Sequence, residues 1–358
     1  MIPMLLSGDG PRSRVLAAML LAILIALALA PFLFPGTRPL DVAAKVCVFV
    51  LLVASYDLLL GYTGIVSFAH TMFFGIGGYG VAIALSRFDA GWIAIALGTA
   101  AAVALSLALS FLIGLFSLRV KAIFFAMITL AVASFFAILA SQLSNITGGE
   151  DGITFKVPEL LRPAFRLLEE PVLGVTIGGR FITYYLVFGC SLSLFLGLLR
   201  VVNLPFGRVL LAIRENDFRA EALGYRTVIY RTIANCLGAV VAALAGALYA
   251  LWLRYTGPNT TLDFGIMIDI LLMVVIGGMG TMYGAVIGAT LFVVAQNYLQ
   301  DAMRAFSGTL QGVPLLPDLF HPDRWLLWLG VLFVLSVYYF PYGIVGQLRA
   351  GRGSAVKK

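Results

Sequence analysis

Apolar residues occupy this chain in long runs separated by short polar breaks. Ten runs stand out, at 15–34, 42–60, 65–86, 91–117, 122–142, 182–202, 231–253, 264–280, 283–300 and 325–345. Each approaches the roughly 20 apolar residues that carry a helix across a bilayer. Two breaks are longer than the rest. Residues 143–180 are rich in Gly, Pro and charge, and loops of this length in a compact protein usually have a task of their own. Residues 203–230 have helical periodicity: Val209, Leu210, Ile213, Phe218, Ala222 and Leu223 fall near one face, with Arg208, Arg214, Glu215, Asn216, Asp217, Arg219 and Glu221 on the other. Pro205 and Gly207 punctuate the start of this helix and Gly224 its end. Such a helix either lies on anionic lipid or docks on a cytoplasmic partner. The acids interleaved with the bases favour docking, because anionic headgroups would repel them.

Composition settles the solvent. Of 358 residues, 61% are hydrophobic and 11% charged, which is more apolar surface than one soluble core can hide. The expected fold is an all-α polytopic membrane helix bundle of about ten transmembrane helices, forming one domain over 1–358. The first run is long for a signal peptide and has no convincing small-residue cleavage site, so it reads as a retained helix. Cys47, Cys190 and Cys236 are an odd, widely spaced set inside apolar runs and suit reduced thiols rather than a disulfide.

Charge then sets the orientation. With both termini cytoplasmic and ten spans alternating, fourteen of the 24 basic residues lie inside and nine outside, as the positive-inside rule requires. This makes 143–180 a periplasmic loop and 203–230 a cytoplasmic segment. The net charge of +7 follows from membrane topology, and no aromatic-laced basic domain suggests nucleic acid.

Some polar residues lie within the apolar runs, where an ionised group costs roughly 2.5 to 3.5 kcal/mol unless paired or wet. Asp57 is either a capped position or a functional one, and Asp269 either pairs structurally or lines a path; Lys45 is a potential partner for one of them. His70 has Ser67 three residues before it and either bonds within the bundle or touches a transported substrate. Its distance in sequence from His321, with no Cys or Glu cluster at either, argues against a metal site. The glycines of GYTGIVSFAHTMFFGIGGYG (61–80), together with Gly277, Gly278, Gly280, Gly284 and Gly288, suit close helix packing or a broken helix beside a cavity. Phe73, Phe74 and Tyr79 would then be secondary candidates for lining a path.

Two of these stretches, GYTGIVSFAHTMFFGIGGYG and FGRVLLAIRENDFRAEALGY, together resemble the permease subunits of branched-chain amino acid ABC importers, LivM type. AIFFAMITLA at 122–131, ITGGEDGI at 146–153, AGALYA at 245–250 and ILLMVVIGGMGTMYGAVIGA at 270–289 extend the likeness over most of the chain. The resemblance implies a type II-like importer permease in the bacterial inner membrane. Its expected partners are a second, LivH-like permease, two cytoplasmic ATPases that bind ATP and Mg, a periplasmic substrate-binding protein and membrane lipid. The chain itself would hold no cofactor and catalyse nothing. It contains no Gly-x-x-x-x-Gly-Lys-[Ser/Thr], so phosphate cradling of that type falls to another chain. By resemblance, Ala212, Ile213, Arg214, Glu215, Asn216, Glu221, Ala222, Leu223 and Gly224 contact the ATPase. The implied substrates are branched-chain or related amino acids, with urea, amides or aromatic acids as alternatives within the family. A proton-coupled secondary transporter using the intramembrane acids is the alternative from another class, and it leaves 203–230 unexplained.

Overall fold

The computed structural model describes residues 13–33, 36–117, 122–167, 177–309, 322–340 and 343–350. His321, Arg12, Arg119 and Lys121, and positions 168–176 of the long 143–180 segment, lie outside them. In chain order the helices are α1 (Arg14–Ala28), α2 (Ala30–Leu33), α3 (Thr37–Thr63), α4 (His70–Arg87), α5 (Trp92–Ser117), α6 (Ala122–Gln142), α7 (Ser144–Thr147), α8 (Gly179–Asn203), α9 (Pro205–Glu215), α10 (Asp217–Ala222), α11 (Thr227–Leu253), α12 (Pro258–Thr261), α13 (Phe264–Gly277), α14 (Met282–Thr309), α15 (Trp325–Tyr339) and α16 (Gly343–Ala350). Among the described residues the sole sheet is a two-residue antiparallel ladder of Ile153–Thr154 (β1) with Tyr255–Thr256 (β2).

Among the described residues eight helical stretches are long and apolar enough to cross a membrane, against the ten expected. The other two expected spans fall on α1, with 15 residues, and α4, with 18, four of them glycine. The reason in α4 is its surroundings. It is buried along nearly its whole length, chiefly against α5 and α11, with His70 and Phe74 reaching side chains of α3, so its solvent is protein and it has no need of a lipid-facing surface. Gly77 sits where a Cβ would overlap the carbonyl of Ala243, and Gly246 where one would overlap that of Phe74; Gly80 and Gly98 bring α4 and α5 together in the same way. In lipid, where no hydrophobic force drives helices together, this backbone proximity supplies the packing energy.

The outer helices look different. α5 and α6 expose Leu105, Leu107, Phe111, Met127 and Phe135, apolar side chains for which hydrocarbon is the natural environment. Between β1 and α8 the long segment folds onto the bundle, with Phe155, Val157 and Leu161 buried against Val81, Leu85 and Leu251. The ends of α4 and α11 are thereby capped at the pole opposite α9 and α10.

Several boundaries differ from the periodicity. The run at 65–86 becomes helical only at His70, while α3 continues through Gly61 to Thr63. Residues 64–69 are non-helical and largely buried, with the amide of Phe68 donating to Thr129 Oγ1 of α6 at 3.1 Å. Residues 278–281 form a second non-helical link, between α13 and α14, with Gly278 and Gly280 at positive φ.

Candidate coupling segment and intramembrane polar sites

Residues 203–230 form two short helices rather than the single one expected. Asn216 breaks them apart: its extended backbone ends α9, and its Oδ1 accepts from the amide of Arg219 at 2.9 Å to cap α10. The break separates the expected apolar face. Leu210 and Ile213 are buried under α9, against α3, α8 and α11, whereas Phe218 and Leu223 are turned outward, 86% and 73% exposed. Ala212, Glu215, Ala222 and Gly224 share this exposed side. α10 ends in a Schellman turn, with Gly224 at φ +91° and the amide of Tyr225 donating to the carbonyl of Ala220. Asp217 pairs with Arg231 at 2.9 Å, and Thr227 Oγ1 donates to Glu221 at 2.7 Å, so α10 is fixed to the start of α11.

Arg214 fixes the other half. Its stem passes over Gly64, where a Cβ would lie 3.3 Å from Arg214 Cγ, and its Nη1 donates to the carbonyl of Gly61. The same nitrogen lies 2.7 Å from where a Cβ of Gly280 would be. Asp57, fully buried one turn before Gly61, accepts from the amide of Gly280 at 2.9 Å. Both non-helical links, 64–69 and 278–281, therefore converge on one arginine of the extramembrane segment, and Asp57 holds the second link in place.

His70 has a different partner from the one its spacing suggested. Its Nε2 lies 3.1 Å from Ser55 Oγ, and Ser55 donates its own hydrogen to the carbonyl of Leu52. Nε2 must then carry the imidazole proton, donated to Ser55. Ser67 accepts instead from the amide of Ala69, as a turn residue ahead of α4. Both are wholly buried, as are Phe73 and Phe74, and Tyr79 is nearly so. Phe73 and Phe74 belong to the central core, whereas Tyr79 packs in a separate cluster with Ala140 and Leu262. Gly277 faces Gly284 across the α13–α14 turn, and Gly278 supplies the carbonyl that Thr281 Oγ1 reaches at 2.8 Å.

Asp269 is half-buried on α13 and belongs to a bridged pair. Gln296 of α14 accepts from Lys45 at 2.9 Å and donates to Asp269 at 3.3 Å, linking two opposite charges through one neutral amide. Gln296 and Ser55 were missed by sequence reasoning, and Gly61, Gly280 and Phe218 were singled out there without the contacts or exposure found here. Gln296 was the most accessible of these, being a polar amide in the apolar run 283–300. The contacts of Gly61 and Gly280 depend on distant parts of the chain and leave no local signal. Among the described residues no cluster of His, Cys, Asp or Glu could hold a metal.

This architecture can be compared with known proteins. The model of the branched-chain amino acid transport system / permease component family matches residues 38–337. The chain belongs to that family. It is 26% identical to the high-affinity branched-chain amino acid transport system permease protein LivM of Salmonella typhimurium over 92% of this chain and 75% of that one. It is 27% identical to the LivM of Escherichia coli over 94% and 77%, and 29% identical to a probable LivM of Methanocaldococcus jannaschii over 69% and 68%. No solved structure matches. Membership, with eight helices among the described residues long and apolar enough to cross a membrane, makes this a multi-pass membrane permease.

Proposed function

We propose that this chain is a permease subunit of an ATP-driven importer of branched-chain amino acids, working in a bacterial inner membrane with both termini cytoplasmic and about ten spans. The carrying observation is the elbow formed by α9 and α10. It is anchored to α3 through Arg214 and to α11 through Asp217, yet it leaves Phe218 and Leu223 in water. A rigid, capped helix with two bare apolar side chains among charges suits a protein groove better than a lipid surface. The ATPase seated there would bind ATP and Mg, and its closure would be carried by Arg214 into both non-helical links. A second, LivH-like permease and a periplasmic binding protein complete the machine, and the binding protein selects the substrate. This chain contributes no catalytic group.

Copurification from native membranes, followed by reconstitution, tests this reading. ATP enclosed with the ATPase side should drive leucine uptake, and a proton gradient alone should not. Uptake driven by the gradient without an ATPase would overturn it.

A further inference from the structure

A polar cleft of about 540 Å³ lies between α6 and the turn from α12 to α13. Its mouth, at the pole opposite the elbow, is bordered by Ser141, Glu150 and Asn259, and its inner wall by Leu130, Ser134 and the buried Thr71. From Gln142 to Leu130 along α6 it descends about 18 Å, at 1.5 Å per residue. That is more than half of the roughly 30 Å hydrocarbon thickness. Polar side chains at such depth need water or protein over them, because lipid leaves them unsatisfied. Clefts between α1 and α8 and between α14 and α15 are lined almost wholly by apolar side chains, and a larger one of about 640 Å³ between α5 and α11 lies at the elbow end, beside Glu221, Arg226 and Thr227.

The lining has one sign of charge. Asp263 and Glu150 border the cleft, neither is salt-bridged among the described residues, and no Lys or Arg lines it. Leu262 and Phe264 supply an apolar wall from the α12–α13 side, and Ile138 lies between the hydroxyls of Ser134 and Ser141 on α6. At the floor, Phe264 packs on Phe68 with ring centroids 5.9 Å apart. Phe68 belongs to the 64–69 link, whose other end, Gly64, lies under Arg214.

We infer that this cleft is the outward half of the transport path and a binding site for an α-amino acid zwitterion, with Asp263 receiving the ammonium group and the Phe68–Phe264 pair forming its floor. The apolar wall takes the side chain, and Ser134 and Asn259 offer neutral donors to the carboxylate. The inference rests on the importer reading for its direction of travel. It adds a connection: displacement of Arg214 would reach the floor of the site through six residues of non-helical backbone.

Cysteine reactivity in the assembled transporter tests it. Ser134→Cys and, as a lipid-facing control, Leu105→Cys are placed in a chain whose Cys47, Cys190 and Cys236 are alanine and whose uptake is retained. A cationic, membrane-impermeant thiosulfonate added from the periplasmic side should modify Ser134→Cys at least about tenfold faster than Leu105→Cys, since only a wetted thiol ionises. Excess L-leucine should slow that reaction, 4-methylpentanoate, which lacks the ammonium, should not, and Asp263→Asn should abolish protection by leucine. Equal inertness of both cysteines, with and without nucleotide, overturns the path. Protection that is equal for the two compounds, or that survives Asp263→Asn, overturns the ammonium assignment. Because labelling needs no ATP, a reactive Ser134→Cys beside ATP-independent uptake would leave the cleft standing and sink the importer reading, and the reverse pattern would do the opposite.

Discussion

The guanidinium of Arg214 donates to the backbone carbonyl of Gly61, joining the amphipathic α9 to the end of α3, a helix long and apolar enough to cross a membrane. The acceptor is main chain, so Arg214 is the side chain that makes the link, while a Cβ at position 61 would overlap Asp57 and the amide of Gly280 and disturb the same junction. A charge-assisted bond of this kind contributes about 1.5 to 3 kcal/mol. Arg214→Ala, or Arg214→Glu with its reversed charge, should lower uptake about tenfold or more while the assembled complex still hydrolyses ATP. Uptake per ATP hydrolysed is the measurement, and an unchanged ratio would remove Arg214 from the coupling route. Gly224→Pro should have the same effect by a different cause, since proline cannot adopt φ +91° and the turn that closes α10 would be lost.

Phe218 and Leu223 should behave as docking residues and not as core. Burying a side chain of this size against a partner is worth about 1.5 to 3 kcal/mol. Phe218→Ala or Leu223→Ala should therefore weaken ATPase retention about tenfold or more, measured by pull-down from detergent. Thermal stability of the isolated chain should barely move, because both are already in water.

The glycines fall into two groups that one assay separates. Gly77→Ala forces a methyl into the carbonyl of Ala243 and should destabilise by about 1 to 3 kcal/mol or more. Gly197→Ala, with nothing within 4 Å, should be neutral or stabilising by up to about 1 kcal/mol. Thermal aggregation curves of the solubilised protein would show the two shifts in opposite directions.

Asp57 acts through its oxygen more than through its charge. Asp57→Asn keeps an acceptor for the amide of Gly280 and should retain assembly and uptake within about threefold, as expected for an exchange that leaves the hydrogen bond in place. Asp57→Leu loses the acceptor and should reduce both. Equal loss in the two variants would show that the negative charge itself is needed.

Lys45, Gln296 and Asp269 should be strongly non-additive. Removing one charge leaves the other unbalanced at membrane depth, so Lys45→Met or Asp269→Leu should each reduce folded yield. The double variant should recover much of it, by an interaction term of about 0.5 to 3 kcal/mol. Simple addition of the two losses in a thermal-stability cycle would show that Gln296 does not couple them.

Much of the bundle was legible in the sequence, because a bilayer imposes length and apolarity on every helix it surrounds. The differences follow from the same physics. α4, expected as a span, is enclosed by protein and therefore carries less apolar surface than a lipid-facing helix. The single helix expected over 203–230 failed at Asn216, whose side chain can cap a new helix as easily as it can sit on the polar face of an old one. His70 was paired with Ser67 by helical spacing, yet Ser67 lies in the non-helical link and the true partner, Ser55, comes from the preceding helix. Local periodicity carries no information about such meetings between elements. Arg214 was legible as a coupling residue through family resemblance, whereas its contact with Gly61 and Gly280 was not.

The burial of α4 also bears on how the protein is made. Its main neighbour α11 begins about 140 residues after α4 ends. At 5–20 residues per second that is about 7 to 28 seconds of synthesis. During that interval α4 has α5 as its principal partner, with smaller contacts to α6, α7 and β1, and its glycine face awaits α11. The helix at the centre of the finished bundle is therefore among the last to be enclosed, and a ribosome stalled before Thr227 would leave that face without its partner.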